Sequence, residues 1–313
     1  MNKSSTHYSL PVTILLISGI SFFGAEILTG STSVEGILQY PISFIMGLVF
    51  YGFQVTIIAD ITSRYSLKLG TIYILGLIYG ILEEGISIFT MESTSTHTLW
   101  LAAYGLNLTW TLYVMLLHAV ITVITTLFIM NVIWPERLQN PVLTKRNYMI
   151  IIPVTIIMYY LFIVGSISAG RVPGVLPLLF LILIIIVLIF AALKNSVLTR
   201  MNKVERRYNQ IRYGVLIPFA AGMILPFIIG NRIPVLLIPE TMALLFLMVY
   251  LFLYFNKFDM IVKIERKSIW VFSTVILSIM VIGGSFNRTL LSDLVAIIAS
   301  VIIIMIGHMK VSH

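Results

Sequence analysis

Runs of about 20 apolar residues, the length a helix needs to cross roughly 30 Å of hydrocarbon, recur along the whole 313-residue chain. They are continuous rather than alternating, which selects helices over the short alternating strands of a membrane β-barrel. With 59% hydrophobic and 10% charged residues and no polar connection longer than 19 residues, no room is left for a soluble domain. The expected fold is therefore all-α, a polytopic helical membrane protein whose immediate partner is the lipid bilayer. Spans are expected at 9–28, 41–60, 71–90, 106–134, 149–168, 174–193, 213–230, 235–256, 268–284 and 291–309, ten in all. The stretch from Leu10 to Leu28 lacks an A-x-A cleavage site and exceeds a signal h-region of about 7 to 15 residues, so it reads as a retained first helix. A chain without cysteine has no disulfide, thiolate-zinc or thiol chemistry.

Charge tests the span count, because Lys and Arg collect in cytoplasmic loops. Alternate connections hold 17 of the 20 basic residues, and only Arg171, Arg232 and Arg288 fall in the others. Both termini are accordingly expected in the cytoplasm, with the cell membrane as the location. The same distribution makes the net charge of +8 a topology signal and removes a nucleic-acid partner from the reading. The loop from Lys194 to Arg212 is basic enough to rest on anionic lipid, although simple orientation accounts for it. Trp134-Pro135-Glu136-Arg137 opens a linker that divides residues 1–146, rich in polar span residues, from the more apolar 147–313.

Inside the third expected span lie two adjacent acids, Glu83 and Glu84. A charge at membrane depth costs about 2.5–3.5 kcal/mol on insertion scales, so it marks a functional site by default. Gly76, Gly80, Glu83, Glu84 and Ser87 share one face of an α-helix, and Gly76 and Gly80 form a GxxxG step that admits a close neighbour. Adjacent residues point about 100° apart on such a helix, so one glutamate is expected in the site and the other on a donor beside it. Asn107, Thr111, His118, Thr122 and Thr125 share a face of the fourth span. His118 and Glu84 come out roughly 6 Å apart in depth on antiparallel neighbours. Glu26, followed by Gly30-Ser31-Thr32, closes the group from the first span. The candidate site is thus Glu83, Glu84 and His118, supported by Glu26 and Asn107. A divalent metal on Glu84, His118 and Glu26 is one use of such a donor set.

Other polar residues have simpler readings. Asp60 caps the second span with Arg64 one turn on, and Glu240 and Asp293 suit exposed ion pairs. Trp100, Tyr104, Trp110, Tyr113 and Trp134 suit an interfacial aromatic belt. Asn107-Leu-Thr and Asn287-Arg-Thr are glycosylation triplets that chance also produces.

Two families are similar to these residues. Glu83-Glu84 followed by His118 resembles the CPBP group of membrane-embedded CAAX-type proteases and bacteriocin-processing enzymes, with its EExxxR, FxxxH and a later His. Here the Arg position is Ile88, the Phe position is Val114, and no histidine lies between His118 and His308. That resemblance implies acids and a histidine activating water. A second resemblance, to uncharacterised polytopic membrane proteins of archaea and bacteria, rests on residues 25–32 (Ala-Glu-Ile-Leu-Thr-Gly-Ser-Thr) and 79–85 (Tyr-Gly-Ile-Leu-Glu-Glu-Gly). Tyr104-Gly105-Leu106-Asn107, His118-Ala119-Val120 and Trp134-Pro135-Glu136-Arg137 extend it. It implies one constellation of Glu26, Glu83, Glu84, Asn107 and His118, and no activity.

Three functions suit these features: a divergent CPBP-like intramembrane hydrolase, a proton- or ion-coupled small-molecule transporter, and a non-catalytic scaffold subunit. A transporter of ten spans would divide into five plus five inverted repeats, and the halves share no motif.

Overall fold

The computed structural model describes residues 10–92, 102–103, 105–201, 210–211, 213–225, 236–258, 261–284 and 289–311. Eight helical stretches among them are long and apolar enough to cross a membrane: Leu10–Ile27, Pro41–Tyr65, Leu69–Ser87, Leu108–Ile133, Lys145–Ser168, Val175–Ser196, Leu237–Phe255 and Leu290–Val311. The other two expected spans are a 19-residue helix, α12 (Arg266–Gly284), which opens on Arg266 and Lys267, and α10 (Leu216–Leu225), whose ten residues end at the limit of the described chain. The only strands described, Ala102–Ala103 and Leu106–Asn107, form a two-stranded hairpin before the fourth span.

One rod organises the bundle. It consists of α5 (Leu108–Leu117), a π-helical segment π3 (His118–Thr125) and α6 (Thr126–Ile133), and 94% of its most apolar window is buried against 17% for the span Val175–Ser196. Helices α1 (Leu10–Phe22), α4 (Leu69–Gly80), α11 (Leu237–Phe255), α12 and α13 (Leu290–Val311) pack around it. Outer helices α8 (Lys145–Ser168) and α9 (Val175–Met201) instead expose Ile150, Ile156, Leu179, Leu183 and Phe190. Such a continuous apolar exterior is what a lipid-solvated protein presents and a water-solvated one avoids.

The expected GxxxG contact is present, and its neighbour is the central rod. A Cβ added at Gly76 would lie 2.6 Å from the Ala119 Cα, and one at Gly80 would lie 3.2 Å from both the Met115 Cα and the His118 Cβ. Helix–helix attraction in lipid comes mainly from such backbone approach, since apolar side chains gain nothing by leaving the acyl chains.

Toward one end of the bundle Asp60 is fully buried on α3 (Pro41–Tyr65) and does not cap it, since the helix runs on to Tyr65 and ends at Ser66. It accepts hydrogen bonds from Arg64 Nε at 2.9 Å, the Leu143 amide at 2.7 Å and the Tyr148 hydroxyl at 2.7 Å, while Arg64 Nη2 donates to the Leu143 carbonyl at 2.7 Å. The linker after Trp134 is thereby clasped to α3. Glu240 does not make the expected exposed ion pair: both its carboxylate oxygens are buried without a hydrogen bond. Arg232, Arg288, Trp100, Tyr104 and Asn287 lie outside the described residues, as do residues 202–209 and Arg212 of the basic loop.

At the other end Glu92 accepts from the Gly174 amide with both oxygens, at 2.9 and 3.1 Å, just ahead of α9. Burial raises the Glu92 carboxyl above its ordinary value, and the amide bonds only partly oppose this. A carboxyl whose folded value is raised favours folding below its unfolded value and loses that contribution as pH climbs through the folded one. The unfolding temperature of the parent protein is therefore expected to fall relative to Glu92→Gln between pH 4 and pH 7. Two glycine substitutions check the packing. Gly76→Val is expected to cost about 1–3 kcal/mol by overpacking. Gly165→Ala, on α8 with nothing within 4 Å of its Cβ, is expected to gain about 0.4–1 kcal/mol. Thermal unfolding in detergent reads both.

Candidate functional site

Each ionisable residue expected in the site sits on a π-helical segment. Glu26 lies on π1 (Phe23–Ile27), Glu83 and Glu84 on π2 (Ile81–Ser87), and His118 opens π3. These wide turns have local causes. Amides reach back five residues, Leu28 to Phe23 at 2.9 Å and Ile88 to Glu83 at 3.1 Å. Hydroxyls add donors at these turns: Thr29 bonds the Ala25 oxygen at 2.6 Å, Ser87 the Glu83 oxygen, which the Ile88 amide also bonds, at 2.9 Å and Thr125 the Val120 oxygen at 2.8 Å. Single-turn π segments inside α-helices occur mostly at functional sites. Just beyond π2, Phe89 holds φ at 57°, a left-handed conformation that costs a non-glycine residue on the order of 1–3 kcal/mol.

The wide turn lets both glutamates face His118. Glu83 Oε2 lies 3.4 Å from Nδ1 of the imidazole and Glu84 Oε1 lies 3.5 Å from Nε2, so each ring nitrogen looks at its own carboxylate. Nδ1 is also 3.0 Å from the Thr122 hydroxyl. Glu83 and His118 are sealed from the surface, and Glu84 receives the hydroxyl of Thr90. Glu26 stands one residue further out: Tyr51 and Thr32 each donate a hydroxyl to it at 2.5 Å. Tyr51 stacks at 6.4 Å on the His118 ring, and Tyr79 meets that ring edge-on at 5.4 Å. A cavity of about 180 Å³ runs beside Glu26 and Glu83 to the end of the bundle that carries Tyr40 and Ser43. Arg171 comes to the same end from α8 and donates to the Ile88 carbonyl at 3.3 Å.

A protein-family model described as an uncharacterized membrane protein family matches residues 15–311. The chain belongs to this family. The match extends well beyond residues 25–137, which carry the resemblance to uncharacterised polytopic membrane proteins, and it supports that resemblance rather than the CPBP one. No curated protein and no solved structure matches the chain.

In this family member the sequence-derived site is assembled in part. Glu83, Glu84 and His118 form a group whose ligand atoms lie within 4.8 Å of one another, and Glu26 is not part of it. A metal binds one imidazole nitrogen and leaves the other to an orienting carboxylate. With the glutamates on opposite nitrogens, one of them would be a ligand beside His118 and the other that orienting partner. Without a metal, the same arrangement stores and passes a proton, since either carboxylate can stabilise the imidazolium. The expectation that one glutamate turns aside is corrected: the π turn reduces the angular step between neighbours.

Asn107 is not in the group. It lies at the N-cap of α5, where its Oδ1 accepts the Trp110 amide at 3.2 Å and its own amide bonds the Met91 carbonyl at 2.8 Å. Eleven residues separate it from His118, roughly 16 Å along a helix. It is 1% exposed, which leaves the triplet that starts with it no access for a glycan. Tyr51, Tyr79 and Arg171 were missed. Tyr51 had a signal, since Gly47, Tyr51 and Gln54 follow helical spacing on one face of an otherwise apolar span. Arg171 had none, because its approach depends on how α8 docks.

The hydroxyl of Thr122 is expected to fix the tautomer of His118. In protein labelled with 15N-histidine, Thr122→Ala should move the His118 Nδ1 resonance and Thr111→Ala should leave it in place.

Proposed function

We propose that this chain is an intramembrane enzyme, a hydrolase in which Glu83, Glu84 and His118 carry out general acid–base catalysis. The observation that carries the reading is a buried imidazole with a carboxylate on each nitrogen, beside a cavity that reaches one end of the bundle. On the charge-based topology, with both termini cytoplasmic, that end faces away from the cytoplasm and the Asp60–Arg64 end faces it. Glu83 lines the cavity and is the group to take a proton from water. His118 takes that proton on one nitrogen while Glu84, on the other, holds the imidazolium, so that Glu83 returns it to the leaving group. The likeness of Glu83-Glu84 and His118 to the CPBP proteases agrees with this chemistry and does not carry it.

Burial favours catalysis over alternating access. From His118 to Ile133 every residue of the central rod is buried, which leaves that part of the rod no face open to water. The chain of groups from Glu26 through Tyr51 to the His118 ring is the one feature that favours a proton-coupled carrier instead.

General acid–base groups contribute about 10²–10⁴-fold. Glu84→Gln and His118→Ala are each expected to lower turnover at least about a hundredfold on a panel of peptide and lipid substrates, with metal content followed in parallel. Turnover equal to the parent's would sink the hydrolase. Pump-like, pH-driven uptake in proteoliposomes would move the assignment to the carrier. Variants that only lose thermal stability would leave a scaffold.

A further inference from the structure

The cavity beside Glu83 has a chemical character that the catalytic reading does not use. Its walls are aromatic: Phe22, Phe44, Phe50, Tyr51 and Phe162 line it. Their planes stand at steep angles, Phe22 to Phe44 at 76° with centroids 5.3 Å apart and Phe22 to Tyr51 at 82° and 5.8 Å, so that neighbouring rings form adjoining walls. Two carboxylates, Glu26 and Glu83, open onto it, and no lysine, arginine or histidine lines it. Glu83 is 1% exposed, and its Oε2 accepts no hydrogen bond.

We propose that this cavity binds an organic ammonium group, with Glu26 and Glu83 supplying the counter-charge and the rings supplying the walls. Aromatic boxes attract cations through the ring quadrupole, and quaternary ammonium is their best-known ligand. A hard metal ion asks for a shell of about six or more oxygens, and the aromatic rings take up much of the wall that would have to supply them. A neutral apolar group would bring no counter-charge to the two carboxyl groups that line the cavity. About 180 Å³ equals the share of roughly six waters, room for an ammonium with a few attached carbons. The opening lies among Tyr40 and Ser43, both exposed at the start of α3, where the cation of a lipid headgroup or a free amine can reach it. The proposal deepens the reading of the Glu–His group as a ligand-handling centre, since it names the charge of what that centre receives.

The test uses the full chain in nanodiscs, with tetramethylammonium and choline as probes and 3,3-dimethyl-1-butanol as the neutral isostere of choline. Calorimetric titration is expected to show choline and tetramethylammonium binding and the neutral isostere binding at least about tenfold more weakly. Phe44→Leu and Glu26→Gln are each expected to weaken choline about tenfold, and Glu84→Gln, which does not line the cavity, to leave it within about twofold. Should Phe44→Leu fail to fold, Glu26→Gln and the isostere comparison on the parent protein still decide. Equal binding of choline and its isostere, or parent-like affinity in both cavity variants, overturns the proposal. Weaker choline binding in phosphatidylcholine discs than in phosphatidylglycerol discs identifies the lipid headgroup as the competing source, and equal binding identifies a free amine. Choline binding with unchanged turnover in Glu84→Gln would sink the hydrolase and keep the ammonium site. Lost turnover without choline binding would do the reverse.

Discussion

The site depends on one backbone contact, the approach of α4 to the central rod at Gly76 and Gly80. With 2.6 Å between the Gly76 Cβ direction and the Ala119 Cα, no side chain stands between the helices at that level. Glu83 and Glu84 follow Gly80 by three and four residues, and His118 precedes Ala119, so the contact that joins the two helices also fixes the separation of acid and imidazole. A larger residue at either glycine would widen a gap that is now 3.4–3.5 Å at both ring nitrogens. Packing and chemistry share the same few residues, which ties the stability of the bundle to the geometry of its site.

Three π segments converge there, and their hydroxyl-rich sequence explains how the backbone tolerates them. A wide turn leaves carbonyls without amides in a medium that offers no water. Thr29, Ser87 and Thr125 add hydroxyl donors to carbonyls in these segments. The serines and threonines that punctuate the apolar spans therefore do more than soften a helix face: they permit the turn that places adjacent glutamates on one ring.

Much of this was legible in the sequence. Apolar run length specified helices, and the small and polar spacing around Gly76 to Ser87 identified the contact face and the residues that meet across it. The π turns were not legible, because the 3.6-residue periodicity used to place side chains assumes the very turn that these segments abandon. Asn107 was misread for a related reason. Its spacing matched the polar face of His118, yet periodicity fixes direction and not depth, and at the start of a helix an asparagine is used up by the backbone amides it caps. Glu240 was misread because exposure was inferred from its position near a span end, whereas its oxygens are enclosed by α10 and α11. The approach of Arg171 depends on tertiary docking alone, which no local pattern encodes.

Packing by itself is a poor account of the acids. A hydrogen bond between membrane helices returns about 0.6 kcal/mol, whereas a charge at membrane depth costs about 2.5–3.5 kcal/mol. The two hydroxyls on Glu26, or the single hydroxyl on Glu84, fall short of that cost. Shared charge closes more of the gap: one imidazolium between two carboxylates would neutralise half of what the group carries, and a bound cation in the adjoining cavity would neutralise the remainder. Residues kept only to hold helices together would be served as well by serine, threonine or asparagine, which the same spans already use freely. The acids are placed where a positive charge, whether a proton on His118 or a group in the ring-lined cavity, completes them.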